Sequence, residues 1–186
     1  FYIFKKMFFA VFSVDTKNRI GNTRGFTIDL AWFQYKILDK IVLVGRHTWD
    51  NLIKLQKNPL RYSTPIVVTR DKNLSVQTMN LNEAVSLADS TDSICVAGGS
   101  QLINGLVSYI RDWFVTIIVS HEFENSPEIN LPFQTKQIVK DYFDCKVKQK
   151  YESNHYAIEV LGFGTYKNYE YILVKAYSNA TVNPAS

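Results

Sequence analysis

The sequence predicts an α/β fold: a single domain with a central, mostly parallel twisted sheet flanked by helices, and antiparallel strands at its C-terminal end. Short β-branched apolar runs alternate with segments of helical spacing in the first part of the chain, which is typical of parallel strands joined by helices. Residues 138–177 instead alternate polar and apolar side chains, which indicates half-exposed antiparallel strands. With 186 residues, of which 46% are hydrophobic, the chain can bury one substantial core.

Each predicted element follows from its local pattern. In chain order they are a strand over 1–14, a helix over 28–38, a strand over 41–45, a helix over 46–55, a strand over 66–69, a helix over 81–90, a strand over 94–99, a helix over 100–110 and a strand over 113–120. Asn80 or Asn82 can cap the helix over 81–90, and Ser100 is the expected N-cap of the helix over 100–110. The domain is predicted over 1–177, and the polar tail 178–186 is predicted to be disordered.

Composition excludes several classes of function. The net charge of +4 is mild and its basic residues are dispersed, which argues against a nucleic-acid surface and favours a small anionic ligand. No apolar run approaches the ~18 residues that span a membrane. Cys95 lies in an apolar run and is predicted to be a core residue, whereas Cys145 lies in an alternating stretch. The cysteines therefore indicate neither a metal site nor a disulfide framework, and a cytoplasmic location is expected.

Glycines and cations mark the predicted strand-to-helix junctions, where ligands bind in open α/β sheets. Gly45 allows close approach of a ligand, and Arg46, His47 and Thr48 open the next helix, so this junction is either an anion site or an ordinary solvated helix start. Gly98 and Gly99, followed by Ser100 and Gln101, form either a phosphate turn or a plain turn. Thr69 and Arg70 end another strand, where Arg70 either pairs with a phosphate or is simply solvated. Together, the three junctions indicate a nucleotide with more than one phosphate.

Asp29 opens a helical pattern at the edge of its apolar face. A buried carboxylate is costly unless it is satisfied. One explanation is local: Thr27 caps the helix, and Asp29 complements the helix dipole in the first turn. The other is that Asp29 binds a ligand at the same edge of the sheet as the three junctions that are candidates for binding phosphate.

The stretch DLAWFQYKILDKIVLVGRHTWDNL, residues 29–52, resembles the folate-site helix, central strand and cofactor helix of dihydrofolate reductase. Other segments occur in the same order as in that family. They are MFFAVFSVD with RIG for the first strand and active-site loop, IVVTR for the strand near the adenosine end, VAGGSQLI for the di-glycine turn, and INLPF with ESNHYAIEVL for the late loop and C-terminal strand. The resemblance covers about residues 7–162.

The resemblance implies that Asp29 binds the pterin ring of dihydrofolate, holding its 2-amino group and N3 by a charge-assisted pair. Asp29 would favour protonation at N5 while NADPH delivers a hydride to C6, giving tetrahydrofolate for thymidylate and one-carbon metabolism. The other positions that match the family's substrate pocket are Phe9, Val11, Leu30, Phe33, Leu52, Ala97 and Ser120, the last of which would share the pterin network with Asp29.

NADPH is the cofactor that the resemblance implies. Ala10 and Ile20 match nicotinamide contacts, and Thr69 and Arg70 lie near the position of the adenosine 2′-phosphate. The remaining positions that match phosphate or pyrophosphate contacts are Arg46, His47, Thr48, Gly98, Gly99, Ser100 and Gln101.

The sequence departs from the family pattern in four places. The loop 22–28, NTRGFTI, is shorter than the family's lid and lacks its Pro-Trp pair, and lid closure excludes water. Ser63 stands where the family keeps an arginine for the glutamate α-carboxylate of folate, so Arg61 is expected to substitute. Ile103 replaces a common tyrosine. Residues 162–177 extend beyond the family pattern as an additional hairpin, a candidate dimer interface in a chain expected to be monomer or homodimer. These departures resemble bacteriophage reductases.

Two other functions remain open at this point. A related NADPH reductase of the riboflavin pathway would share the cofactor edge, but the carboxylate of Asp29 matches a pterin better. A non-catalytic scaffold or virion component that kept the fold would explain the short loop and the extra hairpin. Displaceable binding of methotrexate would favour the folate site.

Overall fold

A computed structural model of the protein describes residues 8–21, 23, 26–55, 58–89, 93–153 and 155–179. Several predicted features lie outside these residues. They are the first seven positions of the strand predicted over 1–14, the loop positions 22, 24 and 25, residue 90 at the end of a predicted helix, and the tail from 180 onward. The chain divides into two compact units. The first contains the residues up to Phe12 and Thr27–Arg111, and the second contains Ser13–Phe26 and the residues from Asp112 onward.

The first unit is a parallel sheet with helical connections. Its elements are β1 (Phe8–Asp15), whose last three residues belong to the second unit, α1 (Thr27–Ile37), β2 (Ile41–Gly45), α2 (Arg46–Leu52), β3 (Thr64–Val68), β4 (Thr78–Met79), α3 (Leu81–Ser86), β5 (Ile94–Gly98) and α4 (Ser100–Leu106). The strands follow the order β4-β3-β2-β5-β1, and the pairs between them are parallel. Within the described residues, no helix is both long and apolar enough to cross a membrane.

Burial explains why the apolar runs form the central strands. Val42, Leu43 and Val44 are completely buried in β2, and every residue of β5 is buried. Strands covered on both faces need continuous rather than alternating apolar sequence, as these two have. Cys95 lies inside β5 and is buried, which confirms its prediction as a core residue, and this burial raises the pKa of its thiol.

Helix ends agree with the predictions in one case and differ in another. Asn80 caps α3 in a capping box, because its Oδ1 accepts from the Glu83 N–H at 3.0 Å and its own N–H donates to Glu83 Oε2 at 2.6 Å. The prediction that Ser100 caps the next helix is wrong. Ser100 is already the first residue of α4, and the N-cap position is Gly99, which has no side chain to accept a hydrogen bond.

The second unit contains the antiparallel strands. Its elements are β6 (Ile110–Ile118), whose first two residues belong to the first unit, α5 (Lys136–Phe143), β7 (Lys150–Glu152), β8 (Tyr156–Tyr166) and β9 (Tyr169–Ser178). They follow the order β6-β9-β8-β7, and each neighbouring pair is antiparallel. The predicted α/β class, mostly parallel with antiparallel strands at the C-terminal end, is therefore confirmed.

The prediction of strands from residue 138 is wrong for its first part, which forms α5. Ile138 and Asp141, three residues apart, are the buried positions of this helix, and that spacing is helical rather than alternating. The Asp141 carboxylate accepts hydrogen bonds from Gln137 Nε2 and from the Tyr151 hydroxyl, the latter at 2.9 Å. The bond from Tyr151 ties α5 to β7. Burial of Asp141 opposes its ionisation, but the two hydrogen bonds outweigh this effect and lower its pKa.

Residues 162–177 lie in a hairpin that begins earlier in the chain than the predicted segment. Strand β8 begins at Tyr156, and a turn at Lys167–Asn168 connects it to β9. The hairpin therefore starts before residue 162, where the additional segment was predicted to begin. β9 lies between β6 and β8, and its Ile172, Val174 and Ala176 side chains are buried. β9, which forms most of the range 162–177, is therefore an internal strand of the second unit.

We predict that Ile172→Ala lowers the free energy of unfolding by about 2–5 kcal/mol, because it leaves a cavity at a fully buried position. Thr165→Ala, at an exposed position of β8, should cost less than about 1 kcal/mol. Urea denaturation followed by circular dichroism measures both changes. Similar small losses for the two variants would show that β9 is peripheral.

Candidate functional site

Two glycine turns of the first unit meet where β2 and β5 end. Val44 pairs with Gly98 across these strands, after a register shift, and Gly45 then begins the turn into α2. A Cβ atom on Gly99 would lie 3.4 Å from Gly45 Cα and 3.5 Å from Thr48 Oγ1. Gly98 and Gly99 adopt φ values of 149° and 89°, which L side chains rarely adopt. The two predicted junctions thus form one site in which backbone lies against backbone.

Arg46 begins α2 and forms ion pairs with two carboxylates. Its Nε donates to both oxygens of Asp50, at 3.0 and 2.9 Å, and its Nη1 donates to Asp71 Oδ2 at 2.7 Å. Hydrogen bonds to Asp50 and then Asp71 raise the pKa of the guanidinium. The Asn73 N–H and Arg46 lower the pKa of Asp71. The predicted phosphate contact Arg46 is therefore already paired with negative charge.

The other predicted phosphate contacts surround this pair or the glycine turns. Thr69 follows the end of β3, and its Oγ1 accepts the Asp71 N–H at 3.1 Å. Arg70 and His47 are exposed to solvent. Ser100 and Gln101 begin α4 directly after the glycines, with Ser100 half-buried and Gln101 exposed.

Asp29 lies in the first turn of α1 and is half-buried. Leu30 is 40% exposed and Phe33 is half-buried on the same helix, so this helix keeps apolar surface accessible beside a carboxylate. Thr27 is the first residue of α1.

The remaining apolar positions predicted for the pocket lie on three elements of the first unit. Phe9 is half-buried and Val11 buried on β1, where their spacing of two places both on one face, while Ala10 points to the other face and is fully buried. Ala97 is 8% exposed near the end of β5, and Leu52 is half-buried at the end of α2.

Arg61 and Ser63 lie in the turn before β3. The Arg61 side chain is exposed, with its guanidinium carbon 4.5 Å from the ring centroid of Tyr62. The Ser63 hydroxyl donates to the Leu60 carbonyl oxygen at 2.8 Å and so stabilises the turn itself. Of the two side chains, only that of Arg61 carries the positive charge that a carboxylate ligand requires.

Two predicted site residues, Ile20 and Ser120, belong to the second unit. The Ile20 N–H donates to the Pro127 carbonyl oxygen at 3.0 Å, and its side chain is half-buried. Ser120 Oγ lies 2.7 Å from His121 Nδ1 and accepts the Glu170 N–H at 2.9 Å. The hydroxyl of Ser120 thus supports the turn of the β8–β9 hairpin.

Residues 7–162 match the model of a protein family described as dihydrofolate reductase. The chain belongs to the dihydrofolate reductase family. The matched range is the same as the range over which the sequence resemblance was predicted.

Individual relatives in the dihydrofolate reductase family are distant. The chain is 29% identical over 94 residues to a dihydrofolate reductase of Buchnera aphidicola subsp. Baizongia pistaciae, covering 48% of this chain and 55% of the relative. A second, from Buchnera aphidicola subsp. Acyrthosiphon pisum, is 25% identical over 48% of this chain and 56% of its own length. The chain thus spans little more than half the length of these two. A dihydrofolate reductase of Enterococcus faecium is 26% identical over 73% of this chain and 86% of its own.

The fold is similar to that of a solved dihydrofolate reductase. The structure of the Enterococcus faecalis enzyme, complexed with NADP(H) and RAB-propyl, matches with a TM-score of 0.69 over 95% of this chain and 98% of that one. The sequence identity is 19%, so this likeness concerns the fold.

A buried carboxylate fixes the loop after β1, which resembles the start of the family's active-site loop. Asp15 is completely buried, and it accepts the Lys17 and Arg19 N–H groups at 2.8 and 3.0 Å and the Phe123 N–H at 2.9 Å. Arg19 Nε donates to its second oxygen at 2.7 Å, and Arg19 and Lys17 both pair with Glu122. Burial opposes ionisation of Asp15, but these hydrogen bonds outweigh it and lower its pKa from the usual value of an aspartate.

Sequence reasoning missed the carboxylate partners of the arginines. Asp50 follows Arg46 by four residues on a helix, a spacing that signals an ion pair. Asp71 is separated from Arg46 by 25 positions, and no local pattern reveals that contact. The sequence around Asp15 gave only a weak indication of its ion pair, because an acidic residue at a strand end followed by a turn is common.

We predict that Gly99→Ala lowers the free energy of unfolding by about 1–3 kcal/mol, because an L side chain is strained at the φ of 89° that Gly99 adopts. The matched control is Gly162→Ala, where an added Cβ meets nothing within 4 Å. It should change stability by less than about 0.5 kcal/mol. Chemical denaturation of both variants provides the measurement, and equal effects would contradict the left-handed backbone conformation of Gly99.

We further predict that Asp15→Asn costs about 3 kcal/mol at neutral pH, because it leaves Arg19 without its buried partner. The folded pKa of Asp15 is depressed, so its contribution is complete above its unfolded value and is lost as the pH falls through the folded value. The difference in unfolding free energy between wild type and variant should therefore shrink below about pH 4. A difference that stays constant down to pH ~2 would contradict the assignment.

Proposed function

We propose that the chain is a dihydrofolate reductase that reduces 7,8-dihydrofolate to 5,6,7,8-tetrahydrofolate with NADPH. The observation that carries the proposal is the half-buried carboxylate of Asp29 in the first turn of α1, a position that the sequence resemblance matches to the family's pterin-binding carboxylate, in a chain of that family. The names of the relatives support the same activity.

The first unit fits the pyrophosphate of a dinucleotide. Gly45 and Gly99 are half-buried at the ends of β2 and β5 and carry no side chain, so a ligand can approach their backbone closely, and backbone N–H groups at such turns bind phosphate. The residues that would hold the cofactor's phosphates here are Gly45, Gly98 and Gly99 with Arg46, His47, Thr48, Thr69, Arg70, Ser100 and Gln101, and Ala10 and Ile20 would contact the nicotinamide. NADPH supplies the hydride when bound.

Asp29 would hold the 2-amino group and N3 of the pterin, because one carboxylate can accept both donors in a charge-assisted pair. Its negative charge would favour a proton at N5, delivered through water. Leu30 and Phe33 offer apolar surface for the rest of the substrate. Arg61 would bind the glutamate α-carboxylate, and its exposure leaves room for that ligand.

We also propose that the chain acts in the cytoplasm as a monomer or a homodimer. Leu161 and Phe163 on the C-terminal hairpin are 44% and 55% exposed, and an apolar surface of this kind supports a contact between two copies. Light scattering on the purified chain distinguishes a monomer from a dimer.

Asp29→Asn tests the activity. We expect it to lower kcat/KM for dihydrofolate by about 30-fold or more, which corresponds to about 2 kcal/mol of transition-state stabilisation. The control is Asp39→Asn, which makes the same change of charge at an exposed position whose left-handed φ of 56° asparagine tolerates. The assay follows the loss of NADPH absorbance on addition of dihydrofolate.

Undiminished turnover in the Asp29→Asn variant would contradict the role of Asp29. If the wild-type chain binds neither ligand and turns over nothing, the proposed function is lost. Displacement of dihydrofolate by methotrexate would separate the folate site from a riboflavin-pathway substrate, and stable particles without turnover would favour the scaffold alternative.

A further inference from the structure

Asp71 directly follows Thr69 and Arg70, the predicted contacts of the adenosine 2′-phosphate, and pairs with Arg46, another predicted phosphate contact. Resting on the proposed function, we infer that Asp71 weakens the preference for NADPH over NADH, so that the chain uses both cofactors. The two cofactors differ only in the 2′-phosphate, so the groups around that position decide the preference.

Carboxylate oxygens contact two of the three guanidinium nitrogens of Arg46. Asp50 takes its Nε edge with both oxygens, and Asp71 takes Nη1 at 2.7 Å. An arginine binds phosphate best when its planar fork is available for two parallel hydrogen bonds. Here a phosphate would first have to displace one of these carboxylates.

The Asp71 carboxylate is held in place by its own loop. Its Oδ1 accepts the Asn73 N–H at 2.9 Å, which closes a local turn, and its N–H donates to Thr69 Oγ1 at 3.1 Å. Loop hydrogen bonds and the Arg46 pair therefore orient the same side chain. The hydroxyl of Thr69, a predicted 2′-phosphate contact, is also engaged by this loop.

A fixed carboxylate at this position has opposite effects on the two cofactors. It repels a 2′-phosphate, whose charge is about −2 at neutral pH. It can accept a hydrogen bond from a ribose 2′-hydroxyl, which is how an acidic residue selects NAD in dinucleotide-binding folds. Arg70 and Lys72, on either side of Asp71, are exposed cations that still attract a phosphate. The expected result is therefore use of both cofactors.

The test compares kcat/KM for NADPH and NADH, with dihydrofolate saturating, in wild type and in Asp71→Asn. Asparagine keeps an oxygen for the Asn73 N–H but removes the charge. We expect a wild-type preference for NADPH below about tenfold. In Asp71→Asn the preference should rise by at least about fivefold, the upper end of what an exposed ion pair contributes.

Two further variants make the result specific. Asp39→Asn removes the same charge without touching Arg46 and should leave the preference unchanged. Because Asp71 also acts directly on the 2′-phosphate, combining Asp71→Asn with Arg46→Gln should reduce the rise without abolishing it, and the reduction measures the part that acts through Arg46. Calorimetric titration with adenosine 2′,5′-bisphosphate and with 5′-AMP gives a readout independent of turnover. Asp71→Asn should tighten only the binding of the first.

A wild-type preference above tenfold, or a rise smaller than fivefold in Asp71→Asn, overturns the inference while leaving the proposed function intact. The absence of turnover with either cofactor, with no binding of dihydrofolate, overturns the proposed function instead. The two failures are therefore distinguishable.

Discussion

The arrangement of the first unit depends on the approach of Gly45 to Gly98 and Gly99. β2 and β5 must end at the same level for these turns to touch, and the register shift before Val44 achieves this by aligning it with Gly98. The φ values of 149° at Gly98 and 89° at Gly99 make any L side chain at the β5 turn strained. The backbone conformation of the site thus depends on glycines, which have no side chain. Its charge depends independently on Arg46 and its two carboxylate partners.

Much of the fold could be predicted from local pattern, and the exceptions have physical causes. The continuous apolar runs of β2 and β5 require burial on both faces, which only a central strand provides. α5 was missed because a helix of eight residues contributes only two turns of periodicity, and its buried Asp141 breaks the apolar signal. The position of β9 between β6 and β8 depends on pairing between distant segments, and alternation alone does not encode partner choice.

The features of the candidate site that depend on residue type could be predicted from the sequence. The features that depend on contacts between distant residues could not. Asp29 and the di-glycine turn are visible as motifs at strand and helix ends. The engagement of Ser120 with the backbone of Glu170 is not visible, because 50 residues separate the partners and neither carries a pattern of its own. The same applies to Asp71 and Arg46. Sequence motifs therefore locate a site more readily than they describe its electrostatic balance.

The interior position of β9 also bears on the order in which the chain can fold. β6 must wait for β9, synthesised more than fifty residues later on the ribosome, before the β6 residues Asp112–Ile118 gain their antiparallel partners. Pairing over such a distance is slow, and an apolar strand with an open edge is prone to associate with other chains. The β6 edge that β9 later covers therefore stays unpaired during synthesis, although the first unit can already form its parallel strand pairs.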